Sequence, residues 1–211
     1  ASLTLLPVSL APSPCDEPPP ARPGPLRDRG FLAVLAAASL IQATHAVYYG
    51  FSSLQWRADG LDGGSIAALW ALGVVAEIVL FAFSGRLKVS STTLLTIGAV
   101  GALVRWSAMA LDPPAALLPF LQILHALSYG ATHLGALTYV ARHAPAGQAA
   151  TAQGHLAIAL SAVMALASAL SGLLYANFGV ASYAAMALAA IAGGICSRVA
   201  SRAGAVALVP R

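Results

Sequence analysis

Apolar segments follow one another from residue 30 onward, and each has the ~20 residues needed to cross the ~30 Å hydrocarbon core of a membrane. Clusters of Gly, Pro, Asp and Ser separate the segments, as is typical of turns. The pattern predicts six transmembrane helices, at about 30–55, 64–84, 90–111, 115–141, 150–176 and 179–201. Only 9% of the residues are charged and 59% are hydrophobic, whereas a soluble domain carries about 25% charged residues. The sequence therefore predicts an all-α integral membrane protein.

The two ends of the chain lie outside the predicted membrane domain, which covers residues 30–203. Eight of the 13 prolines fall within the first 25 residues. Residues 1–29 are therefore interpreted as the end of a preceding segment followed by an extended, Pro-rich linker. Residues 208–211, Leu-Val-Pro-Arg, resemble the remnant of a thrombin-cleavable tag.

Basic residues are concentrated in the loops on one side of the predicted bundle. That side holds eight of them: Arg22, Arg27, Arg29, Arg86, Lys88, Arg142, Arg198 and Arg202. The opposite loops hold Arg57 alone, beside Asp59, Asp62 and Asp112. Because basic loops remain in the cytoplasm, the linker and the C-terminus are predicted to be cytoplasmic, with the helices in a bacterial inner membrane.

Ionisable residues interrupt the apolar segments at a few positions. Glu77 lies inside the run Trp70–Arg86, Arg105 lies in the third segment, and His125 and His133 lie in the fourth. A charge at the centre of a membrane helix costs ~3 kcal/mol on insertion scales. These residues are therefore predicted to face the interior of the bundle and to serve its function.

Two helices carry polar residues at the spacing of a single helix face. The first stripe is Gln42, His45, Tyr49 and Ser52; the second is Gln122, His125, Tyr129 and Thr132, with His133 alongside. Two such stripes predict a wet cavity between the helices. The alternative is that each polar group forms hydrogen bonds within a dry bundle. We expect both stripes and Glu77 to turn toward one side, with helices 90–111 and 179–201 behind them against lipid.

Counting residues gives an expected depth for each ionisable group. At ~1.5 Å per residue, Glu77 and His125 are predicted ~10–15 Å from the cytoplasmic ends of their helices, and His45 and Arg105 ~20–25 Å. A carboxylate that binds and releases a proton at mid-membrane depth is what proton coupling requires. The alternative is a permanent Glu77–Arg105 ion pair that only fixes the helix register.

Several motifs resemble the C-terminal half of a major facilitator superfamily transporter, in the subgroup of 3-phenylpropionate transporter-like proteins related to sugar and nucleoside proton symporters. They are Trp70-Ala-Leu-Gly-Val-Val-Ala-Glu77, Phe81-Ala-Phe-Ser-Gly-Arg86, Arg105-Trp106, Gln122-x-x-His125-Ala-Leu-Ser-Tyr-Gly-x-x-His133 and Ala150-Thr-Ala-Gln153-Gly. The resemblance implies that the six helices are the seventh to twelfth of a twelve-helix bundle. It also implies that the N-terminal six-helix half is a partner and that this chain is a fragment.

The resemblance also implies roles for individual residues. Lactose-permease-like symporters carry a coupling Glu, Arg and His on their eighth, ninth and tenth helices, which Glu77, Arg105 and His125 match. Those symporters place a second Glu one turn after the His, where this chain has Ser128.

The expected function is secondary active transport, as proton-coupled symport of a small organic solute such as an aromatic carboxylate, nucleoside or sugar. Glu77, His125 and Arg105 are the predicted proton-coupling residues. The predicted substrate-binding residues are Gln42, His45, Tyr49, Gln122, Tyr129 and His133. The lipid bilayer is an expected partner; catalysis, a cofactor and nucleic acid are not expected.

Two other classes remain open. An intramembrane metal or haem protein could use His45, His125, His133 and His155. However, His125 and His133 lie eight residues apart, about 80° around a regular helix, and the chain has no His-Glu-x-x-His motif. A membrane assembly protein without transport is the other class.

Overall fold

The structure is a computed structural model that describes residues 24–86 and 88–207, the last four in backbone only. The described residues form helices and no strands: α1 Arg29–Ala43, α2 Ala46–Ala58, α3 Gly63–Phe83, α4 Ser91–Ala110, α5 Leu118–Ile123, a π-helix Ala126–Ala131, α6 Thr132–His143, α7 Ala149–Phe178 and α8 Tyr183–Ala207. The all-α prediction is confirmed. The interpretations of residues 1–23 and of the tag segment 208–211 fall outside the described residues.

Five helical runs among the described residues are long and apolar enough to cross a membrane. The longest, Ala149–Ala203, has 55 residues and contains both α7 and α8, joined by a 3-10 turn at Gly179–Ser182. The chain reverses direction at this turn. The evidence is that Ala152 near the start of α7 and Ala200 near the end of α8 pack into the same cluster as Phe31. Gly179 permits the reversal with φ 53°, a conformation that L-residues with a Cβ rarely adopt. The run therefore makes two crossings, so the described residues form the six crossings predicted from the sequence.

The start of α3 shows how local sequence sets a helix boundary. The carboxylate of Asp62 accepts hydrogen bonds from the backbone N–H groups of Gly64 at 2.7 Å and Ser65 at 3.0 Å. These hydrogen bonds satisfy backbone donors that lack an intrahelical partner. The bonds from Ser65, followed by that from Gly64, lower the pKa of the exposed Asp62.

Two of the predicted helices are interrupted rather than continuous. The first crossing, predicted at 30–55, runs from Arg29 to Ala58 but breaks into α1 and α2 at Thr44–His45. The fourth, predicted at 115–141, contains the π-helix Ala126–Ala131. Such irregular backbone is tolerated at membrane depth only where protein or a water-filled cavity surrounds it, and π-helical turns often mark functional sites.

The prediction that helix 90–111 lies behind the site against lipid is incomplete, because one side of this helix also reaches the centre of the bundle. This helix, α4, packs against both α8 and the segment 126–143 and carries the fully buried Arg105. Two glycines permit the approach: a Cβ at Gly101 would lie 2.8 Å from Leu127 Cβ, and one at Gly98 would collide with the Thr132 hydroxyl. The more exposed helices are α3 and α7, which have few buried residues. The apolar face of α3 shows this, since Val74, Val75, Ile78 and Val79 are each more than half exposed.

Candidate functional site

The break in the first crossing places His45 in the centre of the bundle. The hydroxyl of Thr44 donates to the carbonyl of Ile41 at 2.6 Å, and the indole of Trp106 donates to Thr44 Oγ1 at 2.7 Å. These bonds satisfy polar groups at the interruption, which would be costly to leave unpaired in an apolar environment. His45 follows directly and is fully buried.

His45 connects the break to the π-helix. Its Nδ1 lies 3.0 Å from the carbonyl of Gln42, and its Nε2 lies 3.1 Å from Ser128 Oγ. A carbonyl only accepts, so Nδ1 carries the hydrogen of the neutral ring and Nε2 accepts from Ser128. Ser128, one turn after His125 in the π-helix, therefore holds the ring of His45 in place.

Arg105 is fully buried and is surrounded by hydrogen-bond acceptors and aromatic rings. Its Nη1 lies 2.8 Å from His125 Nδ1, and its Nη2 donates to Gln122 Oε1 at 3.0 Å. The guanidinium carbon lies 4.4 Å from the ring centroid of Tyr48 and 4.6 Å from that of Trp106. Cation–π contacts of this kind stabilise a cation that has lost its water. The site therefore holds a built-in positive charge.

His125 lies between Arg105 and Glu77. Because a guanidinium can only donate hydrogen bonds, Nδ1 of His125 must be the acceptor, and the neutral ring carries its hydrogen on Nε2. That Nε2 lies 3.6 Å from Glu77 Oε1. Among the described residues, Glu77 and Arg105 form no direct ion pair, because the imidazole lies between the two groups. The guanidinium of Arg105, the imidazole of His125 and the carboxylate of Glu77 therefore lie in a row.

The predicted depth of His125 is wrong. The ring centroids of His45 and His125 lie 5.1 Å apart, so His125 is level with His45 and Arg105 and reaches toward Glu77. His125 precedes the end of α6 at His143 by about 18 residues, or ~27 Å at the α-helical rise. This count is close to the ~20–25 Å predicted for His45 and Arg105 and about twice the depth predicted for His125.

Aromatic rings form a partly exposed rim beside this row. Tyr129 stacks on His125 with centroids 5.4 Å apart and on His133 with centroids 6.2 Å apart. Tyr49 stacks on Trp70 at 6.0 Å and an interplanar angle of 22°. The expectation that His125 and His133 diverge by about 80° assumed a regular helix; the wider turn of the π-helix brings both rings into one stack. Tyr49 is 44% exposed, so a ligand can reach this rim.

The two polar stripes face each other, as predicted. Gln42 Nε2 lies 3.4 Å from His133 Nδ1, and the His45 ring lies 5.5 Å from that of Tyr129. The last member of each stripe takes no part in the hydrogen bonds between the stripes. The hydroxyls of Ser52 and Thr132 donate instead to nearby backbone carbonyls of the same crossing. The dry alternative therefore holds for Ser52 and Thr132.

Sequence reasoning missed four side chains of the site: Tyr48, Trp70, Trp106 and Ser128. Tyr48 donates to Gln122 Oε1 at 2.7 Å, and its ring lies 4.6 Å from that of Trp70. The sequence did contain a signal for these residues, because a buried arginine requires aromatic faces or hydrogen-bond acceptors around it. Trp106, directly after Arg105 in the chain, was the nearest candidate.

Several buried polar atoms at the site have no hydrogen-bond partner. They are Glu77 Oε1, Arg105 Nε and Gln122 Nε2. Each unsatisfied buried polar group costs about 1–3 kcal/mol, so the site favours a polar ligand or water at these atoms. Among the described residues, no group of three His, Cys, Asp or Glu side chains lies close enough together to hold a metal ion.

The fold and the site together define a multi-pass helical membrane protein with a buried cation, two histidines and a carboxylate at its centre. Residues 19–207 match the MFS_1 like family, and the chain belongs to that family of the major facilitator superfamily. It is 35% identical over 159 residues to the probable 3-phenylpropionic acid transporter of Escherichia coli (strain K12). That match covers 74% of this chain and 42% of the relative. No solved structure matches the chain.

Proposed function

We propose that the protein containing this chain is a secondary active transporter that couples the uptake of a small aromatic carboxylate to that of a proton. The observation that carries the proposal is the row Arg105–His125–Glu77 beside the rim of exposed aromatic rings. Family membership supports transport, and the similarity to the probable 3-phenylpropionic acid transporter of E. coli supports a phenyl-substituted carboxylate as the substrate.

The rim suits the apolar part of such a substrate. The faces of Tyr49 and Trp70 are nearly parallel, and Tyr129 is partly exposed above His125. A phenyl ring packed on these rings gains about 0.5–1.5 kcal/mol per favourable aromatic pair beyond burial of its area. His133 and Gln42 border the rim and offer polar groups to the substrate.

The carboxylate of the substrate would bind near His125. The ring of His125 stacks on the rim residue Tyr129 and offers its Nε2–H as a donor. Arg105 behind the imidazole supplies a fixed positive charge. Gln122 and His45 hold Arg105 and the π-helix in place. In this mechanism these two are positioning residues, and His125 is the direct ligand.

Glu77 provides the coupling. When ionised, it competes for the same Nε2–H and repels an anionic substrate. Two unit charges about 5 Å apart repel by roughly 3 kcal/mol at an effective dielectric constant of about 20. Protonation removes the repulsion, so one proton on Glu77 accompanies one bound carboxylate. The partly exposed Glu77 side chain, at 15%, allows the proton to enter and leave.

The second half of the transporter, six helices preceding this chain, is the proposed partner across the rim. Described basic residues cluster at one end of the bundle, where Arg29, Arg142 and Arg202 lie, and the opposite end carries Asp59, Asp62 and Asp112. This asymmetry supports a cytoplasmic position for the linker and the C-terminus in a bacterial inner membrane.

The test uses the full transporter reconstituted in liposomes with a pH indicator inside. We expect 3-phenylpropionate to drive proton entry when added outside. The matched control is 3-phenylpropanol, which keeps the ring and lacks the carboxylate. Proton entry with both compounds, or with neither while 3-phenylpropionate is still transported, would contradict the proposal.

A further inference from the structure

A second cavity lies on the opposite side of α4 from the site. Gly98 and Gly101 of α4 face the segment 126–143, whereas Thr96 and Ala99 face α8. Between α4 and α8 runs an open groove of about 240 Å³. Pairing of a second half across the aromatic rim would leave this groove facing the membrane.

The groove is apolar along its length and polar at one end. Its apolar walls are Ala99, Val100, Leu103, Ala190, Ile191 and Ile195. At the polar end, Thr96 Oγ1 and Ser197 Oγ lie 3.0 Å apart, and Arg198 lines the cavity. The hydroxyl pair satisfies its own hydrogen bonds, so the free polar group at this end is the guanidinium.

Arg198 has no carboxylate partner among the described residues. Arg202 follows one turn later on the same helix, and the nearby ends of the other crossings carry Arg29, Arg86 and Arg142. Long basic side chains near a helix end extend toward the headgroup layer while their stems cover apolar surface. The exposed Arg198 therefore reaches the depth at which lipid phosphates lie.

The length of the groove corresponds to part of one leaflet. Thr96 lies ~8 Å along α4 from its first residue, and Leu103 lies ~10 Å further, at 1.5 Å per residue. One leaflet accounts for ~15 Å of the ~30 Å hydrocarbon core. The apolar part of the groove thus begins near the headgroups and ends near the midplane.

We propose that this groove is a binding site for one anionic phospholipid, with an acyl chain between α4 and α8 and its phosphate on Arg198. The apolar walls match the chain, and the unpartnered guanidinium matches the charge of the headgroup. Anionic lipids are attracted to basic residues at the membrane surface by about 1 kcal/mol per residue, a factor of about five in affinity.

The experiment titrates the full-length, delipidated protein with phosphatidylglycerol or phosphatidylcholine of the same acyl chains, using native mass spectrometry. We expect a first phosphatidylglycerol to bind at least about five-fold more tightly than phosphatidylcholine. Arg198→Gln should remove this preference. Arg142→Gln, which removes an exposed charge at the same end of the bundle but outside the groove, should keep it.

A second pair of variants tests the place of the acyl chain. Val100 lines the groove and Val104 does not, although they are 55% and 52% exposed on the same helix. Val100→Trp should weaken binding of the first lipid, and Val104→Trp should not. Equal binding of both lipids, equal effects of the two arginine variants, or equal effects of the two valine variants would overturn the proposal.

Discussion

Tyr48 and Tyr49 are neighbours in sequence, but Tyr48 is buried and Tyr49 is exposed. Tyr48 is 1% exposed and donates its hydroxyl hydrogen to Gln122 at 2.7 Å, whereas Tyr49 is 44% exposed and stacks on Trp70. A helix turns by about 100° per residue, so one residue separates the side chain that supports Arg105 from the side chain that can meet a substrate.

This difference predicts separate effects for two conservative variants. Tyr48→Phe should destabilise the protein by about 1 kcal/mol, because a buried hydrogen bond to Gln122 is lost. Tyr49→Phe keeps the stacking ring and should leave stability and substrate affinity unchanged, whereas Tyr49→Ala should weaken substrate binding with little effect on stability. Thermal unfolding in detergent and substrate binding measure the two properties, and equal destabilisation by both Phe variants would refute the assignment.

Glu77→Gln tests the coupling mechanism. The substitution is nearly isosteric and removes the charge, so the protein should fold and should bind an anionic substrate at least as well at high pH. It should abolish accumulation against a gradient, since no proton accompanies the substrate. Uptake driven by a pH gradient measures coupling to protons. Counterflow measures substrate exchange that needs no such coupling.

The matched control for Glu77→Gln is Gln153→Glu, which places a new acid on the exposed start of α7, away from the described row. It should leave the proton dependence of uptake unchanged. If the Glu77→Gln protein still accumulates substrate as the parent does, Glu77 is not the coupling site.

The break in the first crossing depends on the bond from Trp106 to Thr44. Thr44→Val keeps the shape of the side chain but leaves the buried indole N–H without an acceptor, which should cost about 1–3 kcal/mol. Trp106→Phe removes the donor and some packing. If the bond contributes as described, the double variant should be less destabilised than the sum of the two single variants, by about 0.5–3 kcal/mol. Additive effects in equilibrium unfolding would show that the bond contributes nothing.

Gly101 and Gly172 are both helical glycines, and they predict opposite responses to alanine. A Cβ at Gly101 would meet Leu127 at 2.8 Å, and one at Gly172 would meet nothing within 4 Å. Gly101→Ala should therefore destabilise by about 1–3 kcal/mol through overpacking. Gly172→Ala should be neutral or stabilising by up to about 1 kcal/mol, because alanine favours the helix. The melting temperatures of the two variants test this prediction. A change of the same sign in both would contradict the packing described for α4.

The sequence predicted the crossings because they depend on the length of apolar segments, and the two facing stripes because they depend on helical periodicity. Gln42 and His133 meet, and so do His45 and Tyr129, as helical spacing required. The interruptions could not be predicted in the same way. Ala126–Ala131 contains no proline, and nothing in its composition distinguishes a π-turn from an α-turn. The central position of α4 was not predicted either, because the sequence does not show which segment packs against the face that bears Gly98 and Gly101.

The positions of the three tryptophans have a practical consequence. Trp56 and Trp106 are 1% and 0% exposed, whereas Trp70 is partly exposed and stacks on Tyr49 at the rim. Light that excites tryptophan excites all three side chains, but only the emission of Trp70 should respond directly to a molecule that enters the rim. The chain thus contains its own optical probe, and occupancy of the site can be followed without attaching a dye.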